Sequence, residues 1–79
     1  MEVRRKLMPI EMVTMLSREY AYTLEEISHI IRIPVHITKE LVEEAMSQEL
    51  LEFRDFELQR PLTEKLVQVK RVRYYRRIF

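Results

Sequence analysis

Two amphipathic segments that meet at Ile33-Pro34 leave this chain few ways to fold. Leu24, Ile27, Ile30 and Ile31 recur at helical spacing, and Ile37, Leu41, Ala45 and Met46 do so again beyond the break. Thr23 followed by Glu26 reads as a capping box. The Thr hydroxyl accepts an otherwise orphaned amide proton, and the Glu carboxylate reaches back to the Thr amide. Pro34 cannot continue the first helix, because its ring removes a donor and clashes one turn back, and it drives Ile33 toward an extended conformation. Helices joined by so short a turn cannot lie parallel, so they cross at a large angle as a helix–turn–helix.

At 79 residues the chain is one small domain over 1–79, with a core near the lower limit of self-sufficiency. Assembly into oligomers is a common remedy at this size. Cysteine is absent, which removes disulfides, thiolate metal sites and thiol nucleophiles. No apolar run approaches the roughly 20 residues of a membrane helix. The start, MEVRRKLMPIEM, lacks the apolar core of a secretory signal. The expectation is a cytoplasmic protein. Glycine and asparagine are both missing, so turns must be built from Pro, Asp, Gln, Arg or Glu. With Glu, Arg, Ile and Val abundant, the composition is of the heat-adapted kind, although five Met weigh the other way.

Residues 1–8 read as an arm or a short edge strand, and residues 9–48 as three helices. Pro9 suits a first helical position. Ile10, Val13, Leu16 and Tyr20 share a face, which predicts a first helix ending near Tyr20. Ala21-Tyr22 is a connector or a very short extended piece. The second helix is expected over about Leu24–Arg32 and the third over about Val35–Gln48. His36, Lys39, Glu40, Glu43 and Ser47 should face outward on the third helix.

After Gln48 the period drops to two. Leu51 and Phe53 alternate with Glu52 and Arg54, then Phe56 and Leu58 follow after a phase slip near Asp55 that predicts a bulge or a strand end. Val67 and Val69 alternate again, and Val72 and Tyr74 follow a second slip at Lys70-Arg71. This predicts a hairpin over 50–78 with its loop near Gln59 to Lys65. Gln68, Lys70, Arg71, Arg73 and Tyr75 are then on the solvent side. In a competing reading Thr63 caps a helix with Leu62, Leu66, Val69, Val72 and Phe79 as its stripe. The Val and Tyr content favours the strand.

The small net charge of +1 conceals an asymmetry. Nine carboxylates face three cations between Thr23 and Glu57, whereas seven cations face Glu64 alone from Leu58 onward. A concentrated basic end calls for an anionic partner there. Catalytic groups are not in evidence. His29 and His36 straddle Pro34, the serines lack a neighbouring His–acid arrangement, and no Gly-rich loop exists to cradle a phosphate. No catalytic residue, metal site or cofactor is expected.

The run ISHIIRIPVHITKELVEEAMSQELLEF is similar to the second helix, turn, recognition helix and first wing strand of the winged helix-turn-helix family of DNA-binding domains, of the small transcriptional-regulator type. VKRVRYYRRI is similar to the family's second wing strand. The likeness covers about Pro9 to Ile78, and Gln48-Glu49 stand where the family usually has Gly. The resemblance implies an α+β fold of three helices followed by a two-stranded β-hairpin wing. It implies double-stranded DNA as partner, with the third helix in the major groove and the wing on the phosphate backbone. The groove-facing candidates are then His36, Thr38, Lys39 and Glu43, and the phosphate candidates are Arg60, Lys65, Lys70, Arg71 and Arg73.

Glu40, Glu43 and Glu44 would repel a polyanion. Either the third helix docks by its N-terminal end, or it is the face of a protein-interaction module that meets a basic partner. A third reading is an RNA or single-strand binder that stacks bases on Tyr74 and Tyr75. Apolar residues in MEVRRKLMP and YYRRIF lack obvious partners, which suggests a homodimer.

Overall fold

The structure is a computed structural model and describes residues 7–79. Its order is α1 (Pro9–Thr14), α2 (Leu24–Ile31), α3 (Val35–Ser47), β1 (Leu51–Pro61) and β2 (Val67–Arg77). The fold is α+β, with three helices followed by a two-stranded antiparallel hairpin in winged-helix topology. All but the last residues of the expected N-terminal arm lie outside the described residues. None of the described helices is long and apolar enough to cross a membrane.

α1 starts at Pro9, and Glu11 accepts from the Met8 amide at 3.2 Å. It ends at Thr14, well short of Tyr20, because tertiary partners take the groups that would continue it. The Leu16 carbonyl accepts from Arg77 Nη1 at 2.7 Å, and the Ser17 amide donates to the Tyr22 hydroxyl at 3.1 Å. The buried face is therefore Met12, Val13 and Leu16, whereas Ile10 and Tyr20 are exposed.

α2 carries the expected capping box. Glu26 N–H donates to Thr23 Oγ1 at 3.2 Å, and Thr23 N–H donates to Glu26 Oε1 at 2.9 Å. The helix closes at Arg32, which takes the left-handed conformation with φ 57° and ψ 45°. Ile33 N–H then donates back to the Ser28 carbonyl at 3.2 Å. α3 buries Thr38, Leu41, Val42 and Ala45, while Ile37 stays exposed. It hands over to β1 through Glu49, whose φ is 60°. The left-handed turn for which glycine is the usual residue is thus made here by Glu.

The core joins Met12, Val13, Leu16, Ile27, Ile31, Leu41, Val42 and Ala45 with Leu51 and Tyr75 from the base of the hairpin. Tyr75 is buried, contrary to its expected solvent position. Its amide and carbonyl pair with those of Tyr22 at 2.7 and 2.8 Å, so the connector adds a one-residue third strand to the edge of β2. β1 and β2 pair without interruption from Leu51–Arg77 to Pro61–Val67. Neither the slip at Asp55 nor the one at Lys70-Arg71 produces a bulge. The apolar residues simply change face, because beyond the base neither face is packed on the body. The loop is 62–66, where Thr63 Oγ1 accepts from the Leu66 amide at 3.0 Å.

Candidate functional site

Antiparallel register decides which wing side chains share a surface, since alternate residues point to opposite faces. Leu51, Phe53, Asp55 and Glu57 lie on one face with Tyr75, Arg73 and Arg71 opposite them. This face meets the core at its base, through Leu51 and Tyr75. Farther out its cations are neutralised. Arg73 holds Asp55 by two bonds, Nε to Oδ1 at 2.6 Å and Nη2 to Oδ2 at 2.9 Å, and stacks 4.1 Å over the Phe53 ring. Arg71 Nε reaches Glu57 Oε1 at 3.3 Å.

The other face presents Arg54, Arg60, Lys70 and Arg76, with Glu52 as the single carboxylate. These four cations form no ion pair among the described residues. Between them lie Phe56, Leu58, Val72 and Tyr74, with Phe56 packed edge-on against Tyr74 at 5.6 Å between centroids. Arg54 and Arg76 were not among the candidates read from the sequence. The signal that reveals them is the cross-strand register, which puts Arg54 opposite Tyr74 and Arg76 opposite Glu52.

The candidates from the resemblance therefore separate. Lys70 and Arg60 stand on the unpaired cationic face, Lys65 lies in the exposed loop, and Arg71 and Arg73 stand on the compensated face. On α3, His36, Lys39 and Glu43 are exposed. Thr38 is not a surface residue. It is fully buried, and its hydroxyl donates toward the carbonyls of Ile33 at 3.1 Å and Pro34 at 3.0 Å. A hydroxyl near a helix start commonly serves its own backbone, and Thr38 does so here. Lys39, with Arg32 just before the helix, gives the N-terminal end of α3 a positive character that its backbone dipole reinforces, and His36 is exposed beside it. Glu40, Glu43 and Glu44 make the rest of its exposed surface acidic.

Tyr74 is half-buried and Tyr75 is a core residue, so only the former can offer a ring face to a ligand. Among the described residues no three His, Asp or Glu side chains converge as a metal site. Comparison of the chain with protein-family models, curated proteins and solved structures finds no match in any of the three.

Proposed function

We propose that the chain is a DNA-binding transcriptional regulator of the winged-helix kind, acting inside the cell on double-stranded DNA. The observation that supports this reading is the set of unpaired cations Arg54, Arg60, Lys70 and Arg76 on one face of the projecting hairpin. Cations with no carboxylate to satisfy them can neutralise phosphates and release counterions, giving affinity that falls steeply with salt. α3 approaches the groove by its N-terminal end, where His36 and Lys39 can reach base edges while Glu40, Glu43 and Glu44 stay back.

The test is binding to duplex DNA over a series of salt concentrations. An Arg54→Ala, Arg76→Ala variant should weaken binding and lower the slope of log affinity against log salt by about 1 per lost phosphate contact. Arg71→Ala, Arg73→Ala should change the slope far less, because those guanidiniums are already paired. Absence of binding to any duplex at low salt rejects the reading.

One observation favours a second reading. Glu40, Glu43 and Glu44 are exposed and carry no ion pair among the described residues, which suits a basic protein surface. Charge reversal at these three positions distinguishes the two. It strengthens DNA binding on the first reading and abolishes partner capture on the second.

A further inference from the structure

The chain carries more surface than a monomer of this size should leave open. The radius of gyration is 15.6 Å, against about 12 Å for a compact chain of this length. The accessible surface is 6860 Å², against roughly 5,200 Å² for a compact monomer of 9.8 kDa. The excess is larger than the roughly 800 Å² that each partner contributes to a standard protein interface. A lone two-stranded ribbon is also marginal in water. Yet Phe53, Phe56, Leu58 and Val69 are exposed on it by 43 to 54%.

The hydrogen-bond phase identifies its open edges. Ile78 N–H donates to the Leu50 carbonyl, and Leu62 N–H to the Leu66 carbonyl. With the uninterrupted register, even-numbered residues therefore bond across the hairpin and odd-numbered ones point outward. The outward pairing of Tyr75 with Tyr22 agrees. β2 is covered at its base by Tyr22 and guarded beyond it by Lys70, which has no ion pair among the described residues, so a self-pairing centred there would bring cations together. β1 has no partner on its outer edge among the described residues, from Phe53 to Gln59. Its charges are mixed in sign.

We propose that two copies of this chain pair antiparallel along β1, giving a four-stranded sheet in the order β2-β1-β1-β2. Reversing β1 about Phe56 sets Glu52 opposite Arg60 of the second copy. It also sets Asp55 beside Glu57 of the second copy, and each of these carboxylates already has its own Arg. The axis of such a pair is perpendicular to the sheet, so both unpaired cationic faces lie on one side. The pairing closes after two copies, as a two-fold contact must. It does not depend on the DNA reading and is measured without nucleic acid.

Glu57→Pro and Arg71→Pro test it together. Each removes the same Glu57–Arg71 ion pair, and each places Pro where the lost N–H points outward, one on either edge. Light scattering should give twice 9.8 kDa for the natural chain and for Arg71→Pro, and 9.8 kDa for Glu57→Pro. Amide exchange on the natural chain needs no variant. The Asp55, Glu57 and Gln59 amides should be protected, while those of Val69 and Arg71 exchange freely. A monomer at all concentrations overturns the proposal, even with protected β1 amides, since another segment of the same chain would then cover that edge. Loss of the dimer in Arg71→Pro alone also overturns it.

Discussion

Arg73 and Asp55 meet across the hairpin in a two-point ion pair, at 2.6 and 2.9 Å, with both side chains about half exposed. The hydrogen bond from Arg73 holds the Asp55 carboxyl below its ordinary range against a smaller opposing effect of desolvation, and the charges of Arg73 and Arg71 add to the lowering. The Arg73 guanidinium is raised in return. A carboxyl with a lowered folded-state pKa adds stability above its unfolded pKa. That stability is lost as pH falls through the depressed folded value. A carboxyl-resolved NMR titration should therefore show Asp55 ionised into unusually acid solution, and Arg73→Gln should return it to the ordinary range. Equal Asp55 titration in the two proteins would mean that the pair is absent in solution.

Thr38 is predicted to matter for folding and not for binding. Its buried hydroxyl serves the Ile33 and Pro34 carbonyls, and Ser28 Oγ also donates to Ile33. Thr38→Val keeps the shape and removes these bonds, while Ser28 Oγ still reaches the Ile33 carbonyl and the Ile37 and Thr38 amides still reach that of Pro34, so the cost should be about 0.5–1.5 kcal/mol. Urea unfolding should show a lower midpoint with an unchanged slope. Affinity for DNA, corrected for the folded fraction, should stay the same. His36→Ala and Lys39→Ala should do the reverse, leaving the midpoint in place and lowering affinity.

The Tyr22 hydroxyl ties the end of the α1 region to the strand bridge by accepting from the Ser17 amide at 3.1 Å. Tyr22→Phe keeps the backbone pairing with Tyr75 and removes this acceptor. The expected loss is about 0.5–1.5 kcal/mol. Amide exchange at Ser17 should quicken while Tyr75 stays protected. Quickening at both positions would show that the hydroxyl, and not the backbone pairing alone, holds the bridge.

What could be read from the residues alone follows the range of the interactions involved. The α2 cap, the break at Pro34 and the span of α3 depend on neighbours within a turn, and they lie where Thr23, Glu26 and Pro34 place them. The two wing strands were legible from Val and Tyr content. The end of α1 was not, because Arg77 and Tyr22 fix it from elsewhere in the chain. The burial of Tyr75 depends likewise on a distant strand, and alternation fixes its face only when the strand runs through Lys70-Arg71 without a slip, as the register shows. The slip expected there hid Arg54 and Arg76 as companions of Lys70. Charge counting found the basic end but not its compensation, since the Asp55–Arg73 and Glu57–Arg71 pairs appear only once the register is known.

Arg32 and Glu49 sit at opposite ends of the Pro34–Gln48 segment with φ of 57° and 60°, in the region that L-residues with a Cβ enter at a cost of roughly 1–2 kcal/mol. Both side chains are exposed, so little packing is lost by removing them. Glu49→Gly should relieve the strain, and the greater freedom of Gly in the unfolded chain offsets part of the gain. A net stabilisation of up to about 1 kcal/mol follows, or roughly 4–8 °C in Tm for a domain of this size. Arg32→Gly should behave alike. The two sites are separated by the length of α3, about 20 Å at 1.5 Å per residue, so their effects should add. Gln48→Gly is the control. Its φ of −90° and ψ of 5° suit any residue, so glycine there brings only its entropic cost and should destabilise. If Glu49→Gly destabilises as Gln48→Gly does, the chain does not turn left-handed at Glu49, and the path from α3 into β1 is different.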